Sequence, residues 1–186
     1  MRFCRPALLL TLLPGALIAL CPLAAQEGAP VTRDPSPPDT APGGISYRND
    51  IVPVITRAGC NLGACHGAQT GKGELLLSLR GENPVKDHAA MVKSFVNLTD
   101  PEKSFLLRKA TLDVKHEGGK RFEADSESYR LVRQWIAEGA PLDLPGEPTL
   151  VKLTSTPDER VIFAPEENLE IEVTAHFSDG TTRDVN

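Results

Sequence analysis

Aromatic residues are scarce in this chain: one tryptophan, two tyrosines and six phenylalanines among 186 residues. Basic residues are not in excess either, because 20 lysines and arginines are outnumbered by 25 aspartates and glutamates, for a net charge of −5. A nucleic-acid binder needs a basic stripe for phosphates and rings on which bases stack. Neither is present, so no nucleic-acid partner is expected. Cysteine is limited to four residues, too few for a scaffold held together by disulfides. No pairing of carboxylates and no nucleophile–base–acid set points to a hydrolase, and the chain reads as a module without substrate chemistry of its own. Long apolar runs are missing too. The sustained one, 7–20, is short for a membrane span and is interrupted by Pro14 and Gly15.

That run has a different meaning. Arg2 and Arg5 precede it and Leu23-Ala24-Ala25 follows it, which is the layout of an export signal cleaved before Gln26. Leu20 stands before Cys21 where a lipoprotein signal needs a small residue. The reading is therefore a signal peptide over 1–25 and a disordered linker over 26–44, rich in proline, glycine, threonine and aspartate. Cys4 and Cys21 leave with the signal, and the exported chain, periplasmic or at the cell surface with no transmembrane span, retains Cys60 and Cys65 alone.

Those two define the most informative stretch, Gly59-Cys60-Asn61-Leu62-Gly63-Ala64-Cys65-His66-Gly67. Two thiols can add across the vinyl groups of a haem, and an imidazole directly after the second can ligate the iron. Four residues separate the cysteines, where the usual signature has two. Gly63 supplies backbone freedom to the longer loop. Two other readings of the stretch stay open: a Cys60–Cys65 disulfide, which an oxidising compartment permits, and a metal site, for which no further cysteine pair is at hand.

Around this loop the pattern is helical. Tyr47, Ile51, Val54, Ile55 and Ala58 recur at helical spacing up to a stop at Gly59, with Pro53 either in the first turn or at a kink. Leu75, Leu77 and Leu79 alternate with other side chains and predict a short strand. Asn83-Pro84 and Asp100-Pro101 each supply a helix start, the second leading to inward-facing Phe105, Leu106 and Ala110. Asp125 or Ser126 caps a last helix that carries Leu131, Val132, Trp135 and Ile136 and ends at Gly139. Trp135 is expected to pack against the first helix. His116 lies in a glycine-containing loop well downstream of His66 and is the first choice for a ligand on the opposite side of an iron. Met91 is its rival, read as a core residue, and His88 is read as facing solvent. From Leu169 to Phe177 apolar and polar residues alternate as in a half-buried strand, with His176 on the polar side, and Ser178-Asp179-Gly180-Thr181 marks a hairpin turn. So few strands are expected to be only the opening of a larger β domain.

Across 47–141 the chain resembles a cytochrome-c-like domain of large secreted proteins of planctomycetes and related bacteria. The likeness rests on Asp50-Ile51-Val52-Pro53-Val54-Ile55, the cysteine loop, Gly71-Lys72-Gly73 before Leu77-Ser78-Leu79, and Pro101, Ser104, Leu107 and Lys109. It continues with His116-Glu117-Gly118-Gly119-Lys120-Arg121 and Trp135-Ile136-Ala137-Glu138-Gly139-Ala140-Pro141. From Val151 the chain resembles the opening of a bacterial group 2 immunoglobulin-like domain, through Pro157, Glu159-Arg160, Pro165 and 177–185. The resemblance implies a mainly α cytochrome-c-like haem domain over 45–142, a linker over 143–150, and an incomplete all-β immunoglobulin-like segment over 151–186. It implies one haem c per chain, with Cys60 and Cys65 as thioether residues and His66 as the proximal iron ligand. Phe122 stands where related cytochromes often place a methionine, which leaves His116 or an open sixth position.

Three functions follow as expectations: a one-electron transfer or redox-sensing module working with a redox partner protein, a non-haem binding or adhesion module with a Cys60–Cys65 disulfide, and, with least support, a haem enzyme.

Overall fold

Among the described residues, the first segment with regular structure follows a serine. Ser46 has extended backbone, and its hydroxyl accepts from the amide of Asn49 at 2.8 Å, opening a single π-helical turn, Tyr47–Ile51. This is a computed structural model, and it describes residues 44–67, 71–163 and 168–186, all within one compact unit spanning 36–186. The expected signal peptide, and all but the last residue of the expected linker, lie outside the described residues.

The π turn feeds α1, Val52–Arg57, whose Pro53 sits in the first turn where a missing amide costs nothing. Gly59, at a φ of +74°, ends this segment. α2, Pro84–Ser94, starts as its sequence dictates: the Asn83 side chain accepts from the Lys86 amide, and Pro84 opens the helix. At Pro101 the chain makes only one 3-10 turn, Pro101–Lys103, before extended Ser104 breaks it and α3, Phe105–Ala110, begins. α4, Glu127–Ala137, is capped by Ser126, which accepts from Tyr129, and closes at Gly139 with a φ of +93°.

The expectation of a mainly α cytochrome-c-like domain is overturned. The described residues hold four α-helices of six to eleven residues, joined by long stretches of turn and accompanied by an antiparallel sheet, so the fold is mixed. Proline and glycine account for much of this. Gly59, Gly81 and Gly139 all adopt positive φ at or near the ends of helical turns, and helices this short depend on packing for their stability. The short strand expected at 75–79 is likewise absent. Leu77 makes one isolated parallel bridge to Gly67, and Leu79 enters a 3-10 turn, Leu79–Gly81.

The core forms where α4 meets the π turn. Trp135, Ile136, Val132 and Ile51 are fully buried, with Tyr47, Leu77, Met91 and Leu107 nearly so. Trp135 lies 5.5 Å from Tyr47 between ring centres and donates from Nε1 to the Pro141 carbonyl at 2.9 Å, so its polar edge is satisfied. His88 does not face solvent as expected. It sits edge-on to Tyr47 and Trp135 and donates from Nε2 to the Ala140 carbonyl at 2.8 Å. Phe105 departs from its inward expectation and is 47% exposed, while Leu106, Leu107 and Ala110 carry the buried face of α3.

The C-terminal portion is a three-stranded antiparallel sheet in the order β1-β2-β3, with β1 Leu150–Thr156, β2 Glu172–Phe177 and β3 Thr182–Asp184. β2 and β3 are joined by the expected turn, with Gly180 at a φ of +84°. Only Ala175 and Phe177 of the sheet are buried, so among the described residues no second sheet covers it and no sandwich exists. Arg183 ties β3 to the helical part, donating to Asp50 at 2.5 Å and resting on the Phe177 ring. Among the described residues no helix is long and apolar enough to cross a membrane.

Candidate functional site

The cysteine loop is shaped by its backbone before any side chain acts. The amides of Cys65 and Gly67 donate to Leu62, and that of His66 donates to Cys60, folding 60–67 into consecutive turns. Gly67 packs so closely that an added Cβ would lie 2.2 Å from the Asn61 carbonyl oxygen; no other residue fits there. Gly71 is under similar constraint, 2.6 Å from the Leu75 carbonyl and 2.9 Å from that of His66 by the same construction. The Leu77 amide donates back to the His66 carbonyl at 2.8 Å, which fixes the loop against the chain that follows.

A second loop approaches from α3. The Arg121 amide donates to the Ala110 carbonyl at 2.7 Å, and that of Gly119 donates to His116. Between the two loops is a cavity of about 630 Å³, lined by Cys60, Cys65, His66, His116 and Arg121 together with apolar Ile55, Leu75, Leu77, Met91, Phe95 and Leu106. All four residues expected at the site thus line one space. Met91 reaches it as well, from α2, while 1% exposed. His88 does not line it.

The two histidines are matched. Their rings are parallel to within 2° with centres 6.1 Å apart. His66 Nδ1 is 2.7 Å from the Lys72 carbonyl oxygen, and His116 Nδ1 is 2.9 Å from that of Gly119. A carbonyl can only accept, so in each ring Nδ1 carries a proton and is the donor. This is the arrangement by which backbone carbonyls orient imidazole ligands. Burial lowers the His66 pKa; the Lys72 and Leu75 carbonyls offset this in part, and the His116 and Arg121 charges add to the lowering. His66 is accordingly a neutral donor at neutral pH.

Both cysteines are free thiols and partly buried. Burial pushes the Cys60 thiol up to about 11, although the Arg121 charge acts the other way. Arg121 holds Cys65 from the far side, with Nη2 3.7 Å from Sγ and Nη1 3.4 Å from the Ala58 carbonyl oxygen. Among the described residues no three histidine, cysteine, aspartate or glutamate side chains gather as a metal cage. The two imidazoles are a pair, and they need the remaining coordination positions of any shared ion to be filled by something other than protein.

Sequence reasoning placed the cysteines and both histidines but did not mark Arg121, Lys72 or Lys115 as cavity residues. Their signal was present in the basic residues that flank each histidine loop within an acidic chain. No protein-family model, curated protein or solved structure matches this chain, so the likeness to cytochrome-c-like and immunoglobulin-like domains rests on the motifs alone.

Proposed function

We propose that this chain is an exported haem c module, periplasmic or at the cell surface, that passes or senses single electrons in exchange with a redox partner protein. One haem would be held by Cys60 and Cys65 as thioethers and ligated by His66 and His116. The proposal concerns the site and not a cytochrome-c fold, because sites of one chemistry recur on unrelated folds. Haem iron supplies a one-electron couple whose potential the protein sets through its ligands and their surroundings.

The observation that carries this reading is the histidine pair. The two rings stand parallel with centres 6.1 Å apart, each is fixed by a backbone carbonyl on its Nδ1, and both line one cavity with the two free thiols. The rest of the cavity is consistent with such a guest. Its volume of about 630 Å³ falls within the roughly 300–1,000 Å³ of sites that take a cofactor. Its walls are mainly apolar, and the two thiols that the attachment needs are free and line it. Each residue has a distinct task. His66 and His116 would ligate the iron, Met91, Leu75 and Leu77 line the apolar wall, and Cys60 and Cys65 would anchor the ring. Were His66 and His116 both to ligate the iron, no position would be left for a bound substrate, which favours electron transfer over peroxidase-type chemistry.

The test is expression of the full chain with an export signal in a host carrying haem-attachment machinery. The expected result is a coloured protein that retains one haem in its denatured intact mass and gives the pyridine haem spectrum of two saturated vinyls. A correctly exported, colourless chain of unmodified mass would overturn the proposal and favour the binding-module reading.

A further inference from the structure

The charge on the cavity does not match the charge on the chain. The protein carries a net −5, yet Lys72, Lys109, Lys115 and Arg121 all line the cavity against a single acid, Glu117. Nor are these cations neutralised where they stand. Nearby basic residues are paired, Arg108 with Asp113 and Lys120 with Glu123. Among the described residues none of the four cavity cations forms an ion pair with a carboxylate. Lys109 donates to the Lys115 carbonyl at 3.0 Å, and Arg121 donates to the Ala58 carbonyl and lies beside the Cys65 sulfur, which leaves each with donors to spare.

Four like charges around one cavity repel one another. An arrangement of this kind is relieved by an anionic guest. A cavity lined by both apolar side chains and unpaired cations suits a guest of the same mixed character: a broad hydrophobic body that carries carboxylates.

From this we infer that Lys72, Lys109 and Lys115 form a carboxylate-binding subsite that takes the two propionates of the porphyrin and so orients the ring, while Arg121 stays beside Cys65. The inference rests on the haem reading above but is carried by a separate observation, the unpaired charge. It assigns the subsite to a dicarboxylate tetrapyrrole, as distinct from a neutral one.

The experiment uses the full chain without attached haem and two probes that cannot form thioethers: iron mesoporphyrin, whose vinyls are replaced by ethyls, and its dimethyl ester. Binding is followed by the spectrum of the histidine-ligated iron at low ionic strength. The diacid is expected to bind more tightly than the diester by on the order of tenfold, the scale of two half-exposed charge pairs. Added salt and the combined K72Q/K109Q/K115Q variant are each expected to bring the two affinities together. Equal affinities in the unaltered chain, with both probes giving the ligated spectrum, would overturn the carboxylate subsite and leave the haem site standing. If the diacid preference persists in the lysine variant, the assignment to these lysines fails. If neither probe binds, the haem reading fails, and this inference with it. The comparison of diacid with diester in the unaltered chain decides the matter even where the variant does not fold.

Discussion

The imidazoles of His66 and His116 lie parallel to within 2°, 6.1 Å apart, and each is held by a backbone carbonyl on its Nδ1. They come from loops at opposite ends of the α2–α3 segment. Two loops far apart in sequence therefore bring their imidazoles to the wall of one cavity, each tied at Nδ1 to a backbone carbonyl. Four predictions follow from this pairing and from what surrounds it.

In haem-loaded protein, His116→Ala is expected to convert a low-spin ferric spectrum to a high-spin or water-ligated one, with haem still covalently attached. His66→Ala is expected to weaken ligation more severely, since its loop also carries the attachment residues. A spectrum indifferent to His116→Ala would remove that residue from the ligand set.

Gly118 is a positioning residue for His116. A Cβ at this position would lie 2.8 Å from His116 Cε1, 3.0 Å from its Nε2 and 3.0 Å from Arg121 Nη2. All three are side-chain atoms, so the fold can absorb the clash by moving them. Gly118→Ala is expected to change the axial-ligand bands while shifting Tm by no more than a few degrees. A large loss of stability with unaltered bands would show that Gly118 serves the fold instead.

The Cys60 thiol, raised by burial to about 11, is expected to alkylate slowly in the native haem-free chain at pH 8 and to accelerate only as pH approaches 11. The linkage has a definite sign. A thiol whose folded pKa lies above its unfolded value stabilises the native state below about pH 9, and that contribution is lost as pH rises through 11. The two-unit difference sets an upper bound of roughly 3 kcal/mol. Mass-resolved alkylation against pH, alongside urea melts at pH 8 and pH 10.5, measures both effects. Rapid labelling at pH 8 would contradict the burial.

Trp135 joins the core to the end of α4, with its ring fully buried and its Nε1 bound to Pro141. Trp135→Ala is expected to cost about 3–5 kcal/mol, enough to unfold a small domain. Trp135→Phe retains much of the packing and loses the hydrogen bond, and it is expected to cost less. Denaturant titration of the two variants separates the contributions, and similar losses in both would assign the effect to the hydrogen bond.

Some of this was legible in the sequence because it is local. A cysteine–histidine loop, the Asn83-Pro84 cap, the Ser126 cap and the Gly180 turn are each decided by a few adjacent residues, and each occurs where its chemistry demands. What escaped is decided by partners. The alternation at Leu75, Leu77 and Leu79 is genuine on one side, since Leu75 and Leu77 are 4% and 2% exposed. A strand nevertheless needs a neighbour to pair with, and the described residues offer only the Gly67 bridge. His88 looked polar and exposed because nothing nearby in sequence shows that Tyr47 and Trp135 close around it. The helical period was correct in kind but says nothing of length. Extended Ser104 and the glycines at 59 and 81 cut the helices short and leave a fold in which short helices and turns together line the cavity. Lys72, Lys109 and Lys115 are dispersed in sequence and meet only in space.

Cys60, Cys65 and His66 are neighbours along the chain, whereas His116 belongs to another loop altogether. In a haem-loaded chain Cys60 and Cys65 would keep the porphyrin, with His66 beside its iron, even in a denatured polypeptide, whereas His116 could reach the iron only when the intervening backbone is correctly folded. In a loaded molecule the optical state of the iron therefore reports folding: the colour persists through unfolding, and the spin state records the moment at which the distant half of the site lets go.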